Sequence, residues 1–308
     1  MGELFKFGVA LGTIFSGFTL APLEAQDVEP RRWGHLPMGS HFVGGAYAYT
    51  GGDIAFDPVL LIDDAELDLH TVAMKYVYSF EWFERSARID LLMGYQEGRW
   101  KGLLNGVPAS TDRSGLSDTV VRFSMNLIGA PPLDGEGFAE YRANLSGPET
   151  IAGVALSVHL PTGNYLEDRL LNLGANRFTF RPHFGVVHNR GKLSLEVTGS
   201  AWLYTENDEF YGGNKLEQDP LYSVQGHMVY TFRPGLWVGG GIAYGAGAES
   251  TLNGVKKGDD RSNLAWGVSF GYPINPRLGV KVGYIGMRTQ EEVGADLDTL
   301  TAAFSFMW

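Results

Sequence analysis

The chain has 308 residues, no cysteine, 42 glycines and a formal net charge of −11 at pH 7. The absence of cysteine excludes a small disulfide-stapled fold, and the acid excess leaves no basic face for nucleic acid. A mean hydropathy of −0.08 suits strands that carry lipid on one face and a polar interior on the other.

Residues 1–25 read as a cleavable signal peptide. Lys6 precedes an apolar run over residues 7–21, and Pro22 and Ala25 follow it. Such a run is too short for a spanning helix, which needs about 20 apolar residues, and it has the layout of a secretory leader. Residues 26–40 read as a polar periplasmic linker. No second apolar span follows, so a membrane crossing must use strands, because lipid tolerates only helices and closed barrels.

Twelve segments of period-two alternation come next, near 41–50, 66–81, 86–97, 117–128, 150–160, 175–188, 192–205, 218–232, 235–248, 261–273, 277–288 and 298–308. Most exceed the roughly 9–11 residues that cross a bilayer on a tilt. Tyr222, Val224, Met228, Tyr230 and Phe232 oppose Ser223, Gln225, His227 and Thr231. Leu264, Trp266, Val268, Phe270 and Tyr272 oppose Ala265, Gly267, Ser269 and Gly271. This period belongs to strands, not helices.

Short turns at 82–85, 189–191, 233–235 and 273–276 alternate with long polar loops at 51–65, 98–116, 161–174, 206–217, 249–260 and 289–297. Outer-membrane barrels alternate tight periplasmic turns with longer external loops in this way. Residues 129–149 are long where a short turn is due. A short helical piece around Phe138-Ala139-Glu140-Tyr141 is expected there, with an extra hairpin and fourteen strands as the alternative. Acidic residues gather at 51–66, 205–219 and 289–298; on solvated loops they would disfavour anions at that mouth.

The last segment places Leu300, Ala302, Phe304, Phe306 and Trp308 on one face. A lipid-facing strand that ends in an aromatic girdle has this form, and it is the segment offered to the barrel-assembly machinery. The expected fold is all-β: a single antiparallel transmembrane β-barrel of about twelve strands over residues 41–308, in a bacterial outer membrane with lipid as its surroundings. Alternation then turns Lys75, Arg88, Asp90, Arg122, Asn126, His159, Arg181, His183, Glu196, His227 and Lys281 inward, together with Trp202 and Tyr204. Charges at membrane depth need partners or water, so these residues either line a thin aqueous path or interlock and close it. Trp202 and Tyr204 are further candidates to stack a planar guest. Trp82, Trp237, Trp266 and Trp308 read as interfacial anchors.

From about residue 118 onward the chain carries Val158-His159-Leu160-Pro161-Thr162-Gly163-Asn164-Tyr165, then Asn172-Leu173-Gly174-Ala175-Asn176-Arg177. Later come Gln218-Asp219-Pro220-Leu221, Gln225-Gly226-His227-Met228-Val229-Tyr230-Thr231-Phe232, Gly235-Leu236-Trp237, Tyr244, Asn253-Gly254 and Gly286-Met287-Arg288-Thr289. This pattern resembles the outer-membrane proteins grouped as the meta-pathway phenol-degradation family, members of which are called transporters. The match to an Asn-x-Arg-x-Gly opening is partial at Asn263-Leu264-Ala265-Trp266-Gly267. The resemblance implies an outer-membrane barrel and uptake of aromatic or other hydrophobic compounds, and it carries over no catalytic residue.

Two patterns imitate catalytic sites. Gly267-Val268-Ser269-Phe270-Gly271 matches a nucleophile elbow, yet that motif needs a strand-to-helix turn, and here the alternation continues to Tyr272 and Pro273. Ser157 and His159 share a face, but Leu156, Val158 and Leu160 take the lipid side and leave the pair in the lumen. No cofactor or metal motif is present. The expectation is a non-enzymatic barrel for small, hydrophobic or aromatic solutes, with a closed structural barrel, then a barrel hydrolase, as the alternatives.

Overall fold

A computed structural model describes residues 28, 30–56 and 62–308; the expected signal peptide lies outside them. Twelve antiparallel strands form one closed ring. In ring order they are β1 (His41–Ala55), β2 (Ile62–Trp82), β3 (Arg85–Leu104), β5 (Thr119–Ile128), β6 (Glu149–Leu160), β7 (Thr179–Arg190), β8 (Leu193–Tyr204), β11 (Leu221–Arg233), β12 (Leu236–Gly247), β15 (Arg261–Pro273), β16 (Leu278–Thr289) and β17 (Gly294–Met307). β1 pairs with both β2 and β17, so no edge is exposed. His41 and Trp308 exchange two backbone hydrogen bonds of 3.1 Å at the seam.

Each expected segment became a strand, and several run further than the alternation of polarity suggested. β1, β2 and β3 extend through much of residues 51–65 and 98–104, and β4 (Val107–Leu116) folds back on β3 as a hairpin. In the β3 extension Trp100 keeps the inward parity, directly opposite Leu67 of β2. Two further loops form a small sheet of β9 (Asn207–Phe210), β10 (Asn214–Gln218), β13 (Ser250–Leu252) and β14 (Val255–Lys256). Residues 129–148 contain helix α1 (Gly135–Asn144), which settles the strand count at twelve. Asp134 caps the helix, accepting a 2.8 Å hydrogen bond from the Gly137 N–H, as an extended N-cap acid does.

The outward faces mark the lipid. On β2 they run from Asp68 and His70 at the loop end to exposed Val72 and Met74, and on β3 from exposed Ile89, Leu91, Met93 and Tyr95 to Glu97, Arg99 and Lys101. Charge replaces hydrocarbon at one level on both strands, which is where an apolar belt must stop. Exposed Tyr47, Tyr95, Tyr222 and Tyr244 lie near that level, and Trp82, Phe232, Phe306 and Trp308 ring the turn end. The barrel is therefore built to sit in a bilayer. Pro182 sits within β7, and the pairing to β8 lapses between Phe180 and His183 with the register unchanged, because proline donates no ladder hydrogen bond.

Candidate functional site: the occupied lumen

All thirteen expected inward residues face the barrel interior, and the expected linker joins them there. Residues 30–38 pack against the lumenal faces of the strands instead of hanging free. Trp33 is only 2% exposed and donates from Nε1 to Thr198 Oγ1 at 2.9 Å. Its indole lies where a Cβ on Gly185 or Gly153 would collide with it, so two inward glycines make its slot. The Arg31 N–H donates to Glu196 Oε2 at 3.0 Å, its guanidinium bonds Thr231 Oγ1, and it lies over the Trp237 ring. Val28 enters the barrel's apolar cluster. The segment is inside because Val28, Trp33 and Leu36 are apolar residues that a free linker would leave in water.

Three levels follow along the lumen. At the turn end His35 Nε2 lies 2.7 Å from the Pro131 carbonyl, and its ring meets Phe138 and Tyr141 edge-on. Burial holds the His35 imidazole below its ordinary pKa, against a raising pull from Pro131 and Glu149. Glu149 accepts from Tyr141 at 2.8 Å, Arg142 at 3.0 Å and Asn189 at 3.1 Å.

The middle level holds the charge. Asp90 is approached by Lys75 Nζ at 3.5 Å, Arg88 Nε at 3.3 Å and Arg122 Nη1 at 3.6 Å, all four side chains buried. Arg122 also lies over Trp33. Towards the turn end Asn126 donates to Ser86 at 3.0 Å. Towards the loop end Arg181 bonds Ser200 at 3.1 Å and stacks on Trp202, with His159 on the same ring. Arg177 of the 161–178 connection covers Tyr204. The two aromatics proposed to hold a planar guest thus already carry guanidinium partners. His227 and Lys281 are buried, the former against Gly241.

The loop-end level departs from the expected polar interior. Inward Leu67, Leu69, Trp100, Ala243, Ala265, Met287, Ala295 and Leu297 form one cluster with Val28 and with Leu173 of the 161–178 connection. That connection is tied at its base by Asp118, which accepts from the Gly163 and Ala175 N–H groups at 2.8 and 2.9 Å. At the opposite, turn end Trp237, expected at an interface, is also buried inside, against Gly271. The loop acids are partly neutralised: Lys215 bridges Glu206 and Glu217 at 2.7 and 3.1 Å, and Lys256 joins Asp219 at 3.2 Å and also Glu249.

Neither catalytic imitation assembles. Ser157 Oγ meets His183 Nε2 at 3.1 Å, not His159, and among the described residues His183 Nδ1 has no hydrogen-bond partner to orient it. Ser269 stays within β15. No group of three metal-ligating side chains occurs among the described residues.

The sequence reading missed Trp33, His35, Arg31, the buried Gln96 and the apolar level. One signal was available: inward-parity Gly153 and Gly185 on neighbouring strands leave room that something bulky must fill.

A sequence model of the family described as "Putative MetA-pathway of phenol degradation" matches residues 45–302. No curated protein matches. An outer membrane channel from Pseudomonas putida F1 superposes with a TM-score of 0.73 at 20% identity, covering 91% of this chain and 100% of that one. A monoaromatic hydrocarbon channel, CymD, superposes at 0.45 and 7% identity over 89% of each chain, too distant to bear on this protein beyond that.

Proposed function

The chain belongs to the MetA-pathway phenol-degradation family, and from that premise we propose that it is an outer-membrane conduit for small hydrophobic or aromatic molecules, without enzymatic activity. The observation that carries this is the apolar loop-end level. A path for ions or sugars is lined with polar side chains, whereas a wall of leucine, alanine, methionine and tryptophan gives an apolar solute somewhere to leave water. The solved channel of the same fold supports the reading. The segment at residues 30–38 must then shift for a solute to pass the middle level. The outward Phe304, Phe306 and Trp308 would present the last strand to the assembly machinery.

The seat of Trp33 favours a second reading, a structural barrel whose lumen stays shut. Uptake of a labelled monoaromatic compound by a deletion strain, with and without the gene restored, separates the two. Restored uptake supports the conduit; equal uptake in both strains, with the barrel present in the outer membrane, removes it.

A further inference from the structure

A small cavity lies between the lumenal segment and the wall formed by β2, β3 and β5. Its volume is about 20 Å³, and its polar lining is Arg32, Ser79, Ser86, Arg88, Ser124 and Asn126. One water needs roughly 10–15 Å³ of such space, so a single small particle fits and a tetrahedral oxyanion does not. Trp33 and Leu36 of the segment close it on the other side.

Two guanidinium groups meet here, and no carboxylate lines the cavity. Arg32 comes from the segment and Arg88 from β3, and they are only 5% and 6% exposed. The nearby carboxylates are shared out elsewhere. Asp90 divides itself among Lys75, Arg88 and Arg122, and Glu196 accepts from the Arg31 N–H while also facing Arg32. Hydrogen-bonding capacity is skewed in the same direction. Arg88 Nη2 is buried and has no hydrogen-bond partner among the described residues. Ser79 and Ser86 commit their hydroxyl hydrogens to the Pro37 and Ala130 carbonyls, at 2.6 and 2.7 Å. A guanidinium offers donors only, and a buried charge is costly unless it is paired. The cavity therefore calls for a particle that accepts from several sides and carries negative charge. Water accepts as well, but it must place two hydrogens of its own and leaves the like charges facing each other.

We propose that this cavity binds one small halide ion, chloride or bromide, held between Arg32 of the lumenal segment and Arg88 of the barrel wall. The site is complete only while the segment is seated, because the segment supplies one of its two cations. Halide then favours the seated segment by the factor 1 + [halide]/Kd. The inference goes beyond the conduit reading and assumes nothing about the solute; its test reads ion binding, not flux, so either can fail alone.

The measurement is chloride-35 NMR line broadening on the purified full-length protein in detergent, with ionic strength held constant by gluconate. Ser124→Val replaces a lining hydroxyl by two methyl groups and leaves both arginines in place, whereas Arg32→Gln removes the cation on the segment side. Folding of each variant is checked by its resistance to unfolding in unheated detergent gels. The expected broadening saturates with chloride, is displaced by bromide and survives sulfate. Its apparent affinity should fall at least 10-fold in each variant. Crystals grown in bromide should show an anomalous peak between Arg32 and Arg88. The proposal is overturned if the wild type gives no saturable broadening, if sulfate displaces the ion as well as bromide does, or if binding persists unchanged in either folded variant. A bromide crystal with water alone between the two arginines overturns it too.

Discussion

Replacing Trp33 by alanine should unlatch the lumenal segment. The indole is almost wholly buried, in a slot formed by Gly153 and Gly185, and donates one hydrogen bond to Thr198. Removing a buried tryptophan side chain costs about 3–5 kcal/mol in a packed core, and the lost hydrogen bond lies within that figure. Water can reach a barrel interior, so the lower end applies, about 3 kcal/mol. At 1.4 kcal/mol per factor of ten, the equilibrium between seated and displaced segment moves by about 10². Single-channel recording of the purified protein in planar bilayers reads this directly: the ratio of open to closed time should rise by about two orders of magnitude. Gly185→Ala attacks the same slot from the strand side, because its Cβ collides with the indole, and should act in the same direction. The reasoning fails if both variants fold and insert with wild-type conductance, since Trp33 would then not hold the segment that fills the lumen.

Three further outcomes follow from the geometry. Asp90→Asn withdraws the carboxylate shared by Lys75, Arg88 and Arg122; breaking a buried ion network by removing one partner costs roughly 3–5 kcal/mol, so the urea midpoint for barrel unfolding in detergent should fall measurably. His35 has its pKa lowered from 6.5 by burial, so its contribution to stability is present above the unfolded value and is lost as pH falls through it; acidification below 6.5 should loosen the segment, as tryptophan fluorescence would report, and His35→Phe should remove that dependence. Asp134→Ala should cost α1 about 0.5–2 kcal/mol and speed amide exchange over Gly135–Asn144 while leaving exchange in the strands alone.

The barrel was legible because its forces act along the chain with a fixed period. Each strand must put alternate side chains into lipid, so the parity of Tyr222 to Phe232 or of Leu300 to Trp308 states which way every neighbour points. The lumenal placement of Lys75, Asp90 and Arg181 followed from parity alone. What parity cannot state is depth or partner. Leu67 and Lys75 lie on the same inward face of β2, yet one enters an apolar cluster and the other an ion network, and only closure of the ring decides what stands opposite. Residues 30–38 were illegible for a different reason. They have neither helical nor strand period, and they acquire position through contacts scattered over the ring and the loop before α1, among them Thr198 and Glu196 on β8, Thr231 on β11, Trp237 on β12, Arg122 on β5 and Pro131. The pairing of Trp33 with Gly153 and Gly185 is the exception that shows how such a segment can be found. Small residues of inward parity on adjacent strands mark a missing volume, and a barrel interior does not leave that volume to itself when an unassigned tryptophan precedes the first strand.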